Sequence, residues 1–265
     1  MEAILRPIER LGRRTVAAVG SVGYAGMLLI ESVYFTCWGW RRGQPVRWRM
    51  VFEQMRQVGV DAIPIVCLLS MTIGVMLGIQ FIAALSEFGA QSQVVIASAK
   101  SITREFGALI TGIVVAGRSG SAFAARLGSM VVSQEVDALA VIGIEPVRYL
   151  VAPALIAMVV MMPVLTVLAD LVAIVGAGLY SMAPLDMSLT AYLIQTLDLL
   201  EPRDLWEGLS KSVVFAVLIT LIGLSTGFSV SGGAEGVGRA TTRAVVASIT
   251  ALVIADMLFS FFLNR

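Results

Sequence analysis

The sequence predicts an all-α integral membrane protein with an amino-terminal interfacial helix followed by five transmembrane helices. Of its 265 residues, 58% are hydrophobic and only 14% are charged, whereas a soluble domain is about half apolar and about one quarter charged. Several stretches stay apolar for roughly the 20 residues that a helix needs to cross a bilayer. The third observation is a basic amino-terminal segment, because residues up to Arg56 include nine arginines and four acids.

The amino-terminal segment, residues 1–58, is predicted to lie along the membrane surface. Its first part, up to about Arg42, mixes arginines with apolar residues at helical spacing, which is typical of a helix in the interface. The apolar positions are Ile4, Leu5, Ile8, Leu11 and Val16. Side chains that suit the headgroup level follow: Trp38, Trp40, Arg41, Arg42, Arg47, Trp48 and Arg49. An alternative stays open, in which residues 16–40 themselves cross the membrane.

Residues 59–265 are predicted to form one membrane domain. The predicted spans are approximately residues 60–85, 94–116, 150–180, 209–230 and 244–263. Gly74 and Gly78 lie four residues apart in the first span, a spacing that lets two helix backbones approach closely in lipid. The segment from Gly117 to Arg148 carries too many charges for a span, and we expect a cytoplasmic helical loop there.

The distribution of charge predicts the orientation of the spans. Basic residues between the second and third spans and after the fourth span fall on the same side as the basic amino end. The connection between the third and fourth spans holds mainly acids: Asp186, Asp198, Glu201, Asp204 and Glu207. Because cytoplasmic loops are enriched in lysine and arginine, the amino terminus is predicted to be cytoplasmic and the carboxyl end external.

Several kinds of chemistry are disfavoured by the composition. The chain has no histidine, which removes the commonest general base and metal ligand. Cys37 and Cys67 lack the spacing of a metal or disulfide motif, so we expect no metal site and no catalytic residue. A phosphate-binding loop needs a glycine before its lysine, but Lys100 and Lys211 follow Ala99 and Ser210. If ATP drives this protein, another chain must bind it. Nucleic acid is not expected as a partner, because so apolar a chain offers no soluble basic surface.

Ionisable residues inside the predicted spans are the next candidates for function, since they are costly in hydrocarbon. They are Arg104, Glu105, Asp170, Lys211 and Asp256. Two readings stay open: the groups line a charged cavity, or they sit near the interfaces, snorkel or pair structurally. For Asp170 and Asp256 the structural reading is favoured. Arg104 and Glu105 project about 100° apart on a helix, so they cannot share one face.

The segment between the second and third spans offers a docking element. It combines small residues with an amphipathic stretch that carries Glu135 and Asp137 and ends near Pro146. A short cytoplasmic helix of this kind can dock into a groove on a partner protein.

Five runs of sequence carry a resemblance to a known family. The run Arg-Glu-Phe-Gly begins at Arg104, VVAGRSGSAFAARLGSM at Val114, VSQEVDALAVIGIEPVRYLVAP at Val132, KSVVFA at Lys211 and GVGRATTRAVV at Gly236. In this order, from about Arg56 to the carboxyl end, the chain resembles the MlaE/YrbE permease family of lipid ABC transporters.

The resemblance implies a homodimeric permease in the bacterial inner membrane, with a cytoplasmic coupling helix between the second and third spans. It implies three protein partners: an MlaF-type ATPase that binds ATP and magnesium, an MlaB-type STAS protein and a hexamer of MlaD-type MCE chains. Together they would move phospholipids or related lipids between inner and outer membranes and maintain outer-membrane lipid asymmetry. No cofactor is expected in this chain.

The resemblance also implies roles for individual residues. The lipid-pathway candidates are Arg104, Glu105, Lys211 and Arg239, and the ATPase-coupling candidates are Glu135, Asp137, Arg118 and Arg126. Two positions depart from the family pattern: Ala108 stands where proline is common, and Arg126 where an acidic residue is common. The second departure reverses a charge on the predicted docking segment.

Two other functions are alternatives. In an ion-gradient-driven secondary transporter, the charges inside the spans would be the coupling sites. A membrane enzyme, such as an acyltransferase or an intramembrane protease, is disfavoured because the chain lacks histidine and its aspartates inside the spans show no protease motif.

Overall fold

The computed structural model describes residues 2–38 and 47–263, and every regular element in those ranges is helical. The α-helices are α1 (Glu2–Trp38), α2 (Trp48–Val58), α3 (Ile63–Glu87), α4 (Val94–Ser101), α5 (Gly107–Val115), α6 (Ser121–Val132), α7 (Glu135–Val141), α8 (Ala152–Ser181), α9 (Leu189–Leu199), α10 (Pro202–Phe228) and α11 (Gly233–Leu263). Short 3₁₀ turns lie at Val60–Ala62 and Gln91–Gln93, and π turns at Ile102–Phe106, Ala116–Gly120 and Val147–Val151.

Five of the described helices are long and apolar enough to cross a membrane, which confirms the predicted fold class. They are called here the first to fifth spans: Trp48–Glu87, Gln91–Val132, Val147–Ser181, Pro202–Phe228 and Gly233–Leu263. The first span joins α2 to α3, and the second joins α4, α5 and α6. The third consists of a π turn and α8, the fourth is α10 and the fifth is α11. Helix α1, with 37 residues, is not one of these five. Its position in the membrane interface stays a prediction, as does the domain boundary after residue 58.

Consecutive spans run in opposite directions, so the bundle has two ends. The basic end holds the start of the first span, the connection between the second and third spans, and the turn between the fourth and fifth. The acidic end holds the other two connections and the carboxyl terminus of the fifth span. Which end faces the cytoplasm stays a prediction from the charges.

The first and third spans pack backbone against backbone, as Gly74 and Gly78 predict. A Cβ added at Gly74 would lie 2.0 Å from the carbonyl oxygen of Ala173, and one at Gly78 would lie 3.1 Å from that of Ala177. Gly176 faces the backbone of Met71 in the same way. Glycine is required at these positions because any side chain would push the two helices apart.

The predicted loop from Gly117 to Arg148 is wrong over its first half. Residues Gly117–Val132 continue the second span without a break, and Phe123, Ala124, Leu127 and Gly128 are buried against α10 and α11. Small residues at Gly120, Ala124 and Gly128 give this helix a face that packs closely, while its arginines project elsewhere. Only the short helix α7 and its flanking turns form the connection.

The structure also extends the fourth span by about two turns beyond the predicted start at residue 209. The span begins at Pro202, because the acidic residues Asp204 and Glu207 are buried by partners in the second span. In the amino-terminal region, the side chains of Ile4, Leu5, Ile8 and Leu11 and all of Trp40, Arg41 and Arg42 lie outside the described residues. Tyr24 of α1 contacts Phe228 edge to face, with ring centroids 6.4 Å apart.

Candidate functional site

A lysine is buried inside the bundle near the acidic end. The side chain of Lys211 is 2% exposed, and its Nζ lies 2.6 Å from Glu105 Oε2 and 3.1 Å from Asp256 Oδ1. Nζ also donates to Ser260 Oγ at 3.3 Å, and this hydroxyl donates to Glu105 Oε1 at 2.8 Å. We call these four residues the lysine cluster. It joins the second, fourth and fifth spans through one cation and two carboxylates.

A second group of charges lies next to it, towards the acidic end. Arg104 contacts Asp204 Oδ1 through Nη2 at 2.5 Å and through Nε at 2.6 Å, and its Nε lies 3.5 Å from Glu207 Oε2. Lys100 is 3.8 Å from Asp204 Oδ2. We call Lys100, Arg104, Asp204 and Glu207 the arginine cluster. Asp204 is fully buried yet compensated, since it faces two cations.

Asp204 also holds the start of the fourth span in place. Its Oδ2 accepts a hydrogen bond from the backbone N–H of Glu201 at 3.0 Å, and the two residues form a capping box around Pro202. Such a box satisfies backbone donors that a helix start otherwise leaves without partners. The same carboxylate therefore fixes both the helix start and the Arg104 guanidinium.

The local backbone explains how two adjacent residues reach different partners. Arg104 and Glu105 lie in the π turn Ile102–Phe106, and each contacts α10 at a different level, at Asp204 and Lys211. The two helices come close there because Gly208 has no side chain; a Cβ at that position would lie 2.1 Å from the carbonyl oxygen of Thr103. π turns are frequent at functional sites.

Asp256 and Asp170, the two remaining aspartates in the spans, differ in their partners. Asp256 pairs with Lys211, in agreement with the structural reading of the sequence. Asp170 is 5% exposed, and its Oδ1 has no hydrogen-bond partner among the described residues. It fits against Gly107, where a Cβ would lie 1.6 Å from that oxygen. Asp170 therefore shows no pairing among the described residues, and its role stays a prediction.

The fourth lipid-pathway candidate lies elsewhere. Arg239 is in the first turns of α11 at the basic end, where its 65% exposed side chain pairs with Glu235 at 3.1 Å. The structure thus brings together Arg104, Glu105 and Lys211 but not Arg239.

The four ATPase-coupling candidates divide into two places at the basic end. Glu135 and Asp137 are exposed on α7, where Glu135 accepts a hydrogen bond from Ser133 at 2.8 Å. Arg118 instead belongs to the second span, and its Nη1 donates to the carbonyl oxygen of Gln57 at 2.8 Å. Arg126 is exposed on α6. The predicted roles of all four in coupling stay predictions.

Sequence reasoning missed several members of the two clusters. The predicted external connection includes Asp204 and Glu207, and no sequence pattern indicates a role for Ser260. The signal that could have found them is the spacing of charges: Lys100 and Arg104 are four apart on one helix, and Asp204 and Glu207 are three apart on another. Residues three or four apart lie on the same face of a helix. A face with two basic side chains can therefore pair with a face on another helix that carries two acidic ones.

A bundle of five apolar helices that encloses a lysine and several carboxylates defines a multi-pass membrane protein of the permease class, since charges in such bundles mark substrate or ion pathways. The family model described as "Permease MlaE" matches residues 51–262, and the chain belongs to this family.

Named relatives support this assignment. A "Probable ABC transporter permease protein" of Rickettsia felis is 34% identical over 97% of each chain. The "Intermembrane phospholipid transport system permease protein MlaE" of Haemophilus influenzae is 30% identical over 92% of each chain. The chloroplastic protein TRIGALACTOSYLDIACYLGLYCEROL 1 of Arabidopsis thaliana is 36% identical over 82% of this chain and 62% of its own.

Proposed function

We propose that this chain is the permease subunit of an ATP-driven ABC transporter that moves phospholipids, or related lipids, between the inner and outer membranes and so maintains outer-membrane lipid asymmetry. The observation that carries the proposal is Lys211, a buried cation held by two carboxylates within an apolar bundle of the MlaE family. The name of the Haemophilus influenzae relative supports phospholipid as the substrate class.

The lysine and arginine clusters are the parts of this bundle suited to a lipid headgroup. A phosphate group can compete with Glu105 or Asp256 for Lys211, because all three are acceptors of charge-assisted hydrogen bonds. Apolar surface on the spans suits the acyl chains. In this mechanism a headgroup enters near Arg104 and Lys211 and exchanges partners with the carboxylates.

A homodimer is part of the proposal. In the most apolar stretch of the fifth span only 11% of the residues are buried, and Val253, Met257 and Phe261 are more than half exposed. A second copy facing this surface would enclose an apolar cavity beside the lysine cluster.

The energy source in this proposal is a partner ATPase of the MlaF type, which binds ATP and magnesium. The exposed carboxylates of Glu135 and Asp137 on α7 are the proposed contacts, with α7 acting as the coupling helix on the cytoplasmic side. An MlaB-type STAS protein and an MlaD-type MCE hexamer complete the assembly. ATP-driven closure can move lipid only if the two states of the permease bind lipid differently.

Reconstitution tests the function directly. The chain and its ATPase are placed in phospholipid vesicles that contain ATP and no ion gradient, and transfer of a fluorescent phospholipid to acceptor vesicles is measured. We expect ATP-dependent transfer, and a K211M variant should lose it. Transfer that needs an ion gradient and no ATPase would instead establish the secondary-transporter alternative.

The coupling role of α7 has its own test. The E135K/D137K variant should copurify with less ATPase than the wild-type chain, because its charges on the contact surface are reversed. A matched control, E87K/D198K, reverses two exposed carboxylates outside α7 and should retain the ATPase. Unchanged copurification of both variants would remove Glu135 and Asp137 from the interface.

A further inference from the structure

A groove at the basic end separates the amino-terminal part of the first span from the second span. One part of it, about 270 Å³, is lined by Gln54, Gln57, Asp61, Arg118, Phe123 and Arg126. An adjoining part, about 300 Å³, is lined by Arg49, Met50, Glu53, Gln54, Gln57 and Arg126. Gln54, Gln57 and Arg126 border both parts. We therefore treat the two parts as one groove and call it the basic groove.

The walls of the basic groove are tied together. Arg118 of the second span donates to the backbone carbonyl of Gln57 at 2.8 Å and lies 3.6 Å from Asp61. Val58 and Ala62, on the same segment of the first span, are buried in the bundle. Both walls of the groove are therefore anchored in the helix bundle.

The charges of the groove do not cancel. Glu53 accepts hydrogen bonds from Arg56 at 3.1 Å and from Gln57 at 2.9 Å. Asp61 lies between Arg56 at 3.5 Å and Arg118 at 3.6 Å. Arg49 and Arg126 form no ion pair within the described part of the chain, although Arg126 is close enough to attract the carboxylate of Glu53. The two acids already have cations beside them, and two guanidinium groups remain available for an anion.

The groove lies at the basic ends of the first and second spans, which is where a bundle of spans meets the lipid headgroups. Arg49 is the second residue of the first span, and Arg126 lies six residues before the end of the second, which corresponds to roughly 9 Å at the rise of an α-helix. Trp48, 65% exposed, sits beside Arg49, as indole rings do at the membrane interface. Phe52, 65% exposed on the same helix, adds an apolar surface for the surrounding lipid.

We propose that the basic groove binds the phosphate-bearing headgroup of an anionic phospholipid from the surrounding leaflet. Arg49 and Arg126 contact the phosphate, and the side-chain amides of Gln54 and Gln57 donate to the phosphate or glycerol oxygens. Guanidinium groups suit this ligand because their planar donor pairs match phosphate oxygens. The site depends on the membrane location of the chain and not on the proposed transport function.

The test uses the full chain in nanodiscs of phosphatidylcholine with or without phosphatidylglycerol, followed by native mass spectrometry of the retained lipid. The wild-type chain should retain phosphatidylglycerol, and the R49Q/R126Q variant should bind it about tenfold more weakly, because each lost charged hydrogen bond is large enough for that change. The control R203Q removes an exposed charge at the acidic end, where Arg203 pairs with Glu207 at 3.0 Å, and should retain the lipid.

Three outcomes would overturn the proposal. Equal retention by the wild-type chain and R49Q/R126Q would mean that the arginines only anchor the helices at the surface. Displacement by an excess of water-soluble glycerol phosphate would identify a free phosphate as the ligand. Release of the lipid when the ATPase partner is added would assign the groove to a protein contact.

Discussion

Near the acidic end, Lys211 and Arg104 are each held between two carboxylates, whereas at the basic end Arg49 and Arg126 line an open groove without an ion-pair partner among the described residues. The difference follows from burial. A charge inside the bundle loses its hydration and persists only when it is paired, while an exposed one keeps its water until a ligand arrives. Removal of one partner of a paired charge therefore destabilises the bundle, because the other charge is left buried and uncompensated. The unpaired charges at the basic end are available for binding.

The largest expected effect follows from removing the buried cation. In K211M the carboxylates of Glu105 and Asp256 lose their shared partner, and the free energy of unfolding should fall by about 3–5 kcal/mol. Unfolding by heat in detergent micelles measures this loss. The triple variant E105Q/K211M/D256N removes all three charges and should recover most of the stability. An unfolding temperature of K211M equal to that of the wild-type chain would contradict the pairing.

Substitutions in the arginine cluster should lower the free energy of unfolding less than K211M does. R104Q removes the contacts to Asp204 at 2.5 and 2.6 Å, and we expect a loss of about 1.5–3 kcal/mol because these are charged hydrogen bonds. Lys100 keeps part of the compensation at Asp204. The matched variant K100Q loses only two longer contacts, each at 3.8 Å, to Asp204 and Glu201, and should cost less than R104Q. The reverse order would show that Lys100 is the main partner of Asp204.

At the basic end, the ion pair between Arg118 and Asp61 is longer and more exposed. R118Q should lower the free energy of unfolding by about 1–2 kcal/mol, because an exposed pair contributes little and the hydrogen bond to the carbonyl oxygen of Gln57 contributes about 1 kcal/mol. Comparison of R118Q with R104Q under the same conditions tests the contrast between the two ends directly. An equal loss in the free energy of unfolding for R118Q and R104Q would contradict the difference between the two ends.

The smallest effect is expected for Arg49 and Arg126, which form no ion pair with any residue that the structure describes. R49Q/R126Q should change the free energy of unfolding by less than about 0.5 kcal/mol in neutral detergent, as surface substitutions do. Addition of phosphatidylglycerol should then raise the unfolding temperature of the wild-type chain more than that of the variant, because a ligand stabilises the state that binds it. An equal rise in both proteins would argue against the basic groove as the binding site.

The sequence predicts the membrane architecture well where hydropathy and small residues act together. Five spans follow from apolar runs, and Gly74 and Gly78 correctly indicate a close helix contact. The second span is the exception. Arg118 and Arg126 hide its extension over Gly117–Val132, because a hydropathy argument counts charges without knowing that Arg118 has partners in the first span and that Arg126 is exposed.

The candidate site was predictable only in part. Arg104, Glu105 and Lys211 stand out because ionised groups are rare in spans, and the structure brings them together with opposite charges. The spacing of Asp204 and Glu207 is compatible with a role as their partners but does not assign it, since acidic residues near a connection are usually solvated. Their burial depends on the approach of two helices at Gly208, and no local pattern in the sequence reports that distance.

The contact between the first and third spans also limits where a substrate can travel. At Gly74 and Gly176 the two backbones touch, so this seam has no width for a hydrocarbon tail. Parting it would expose main-chain surface that has no side chains to cover it. In the proposed transport, a lipid would therefore pass along another side of the bundle.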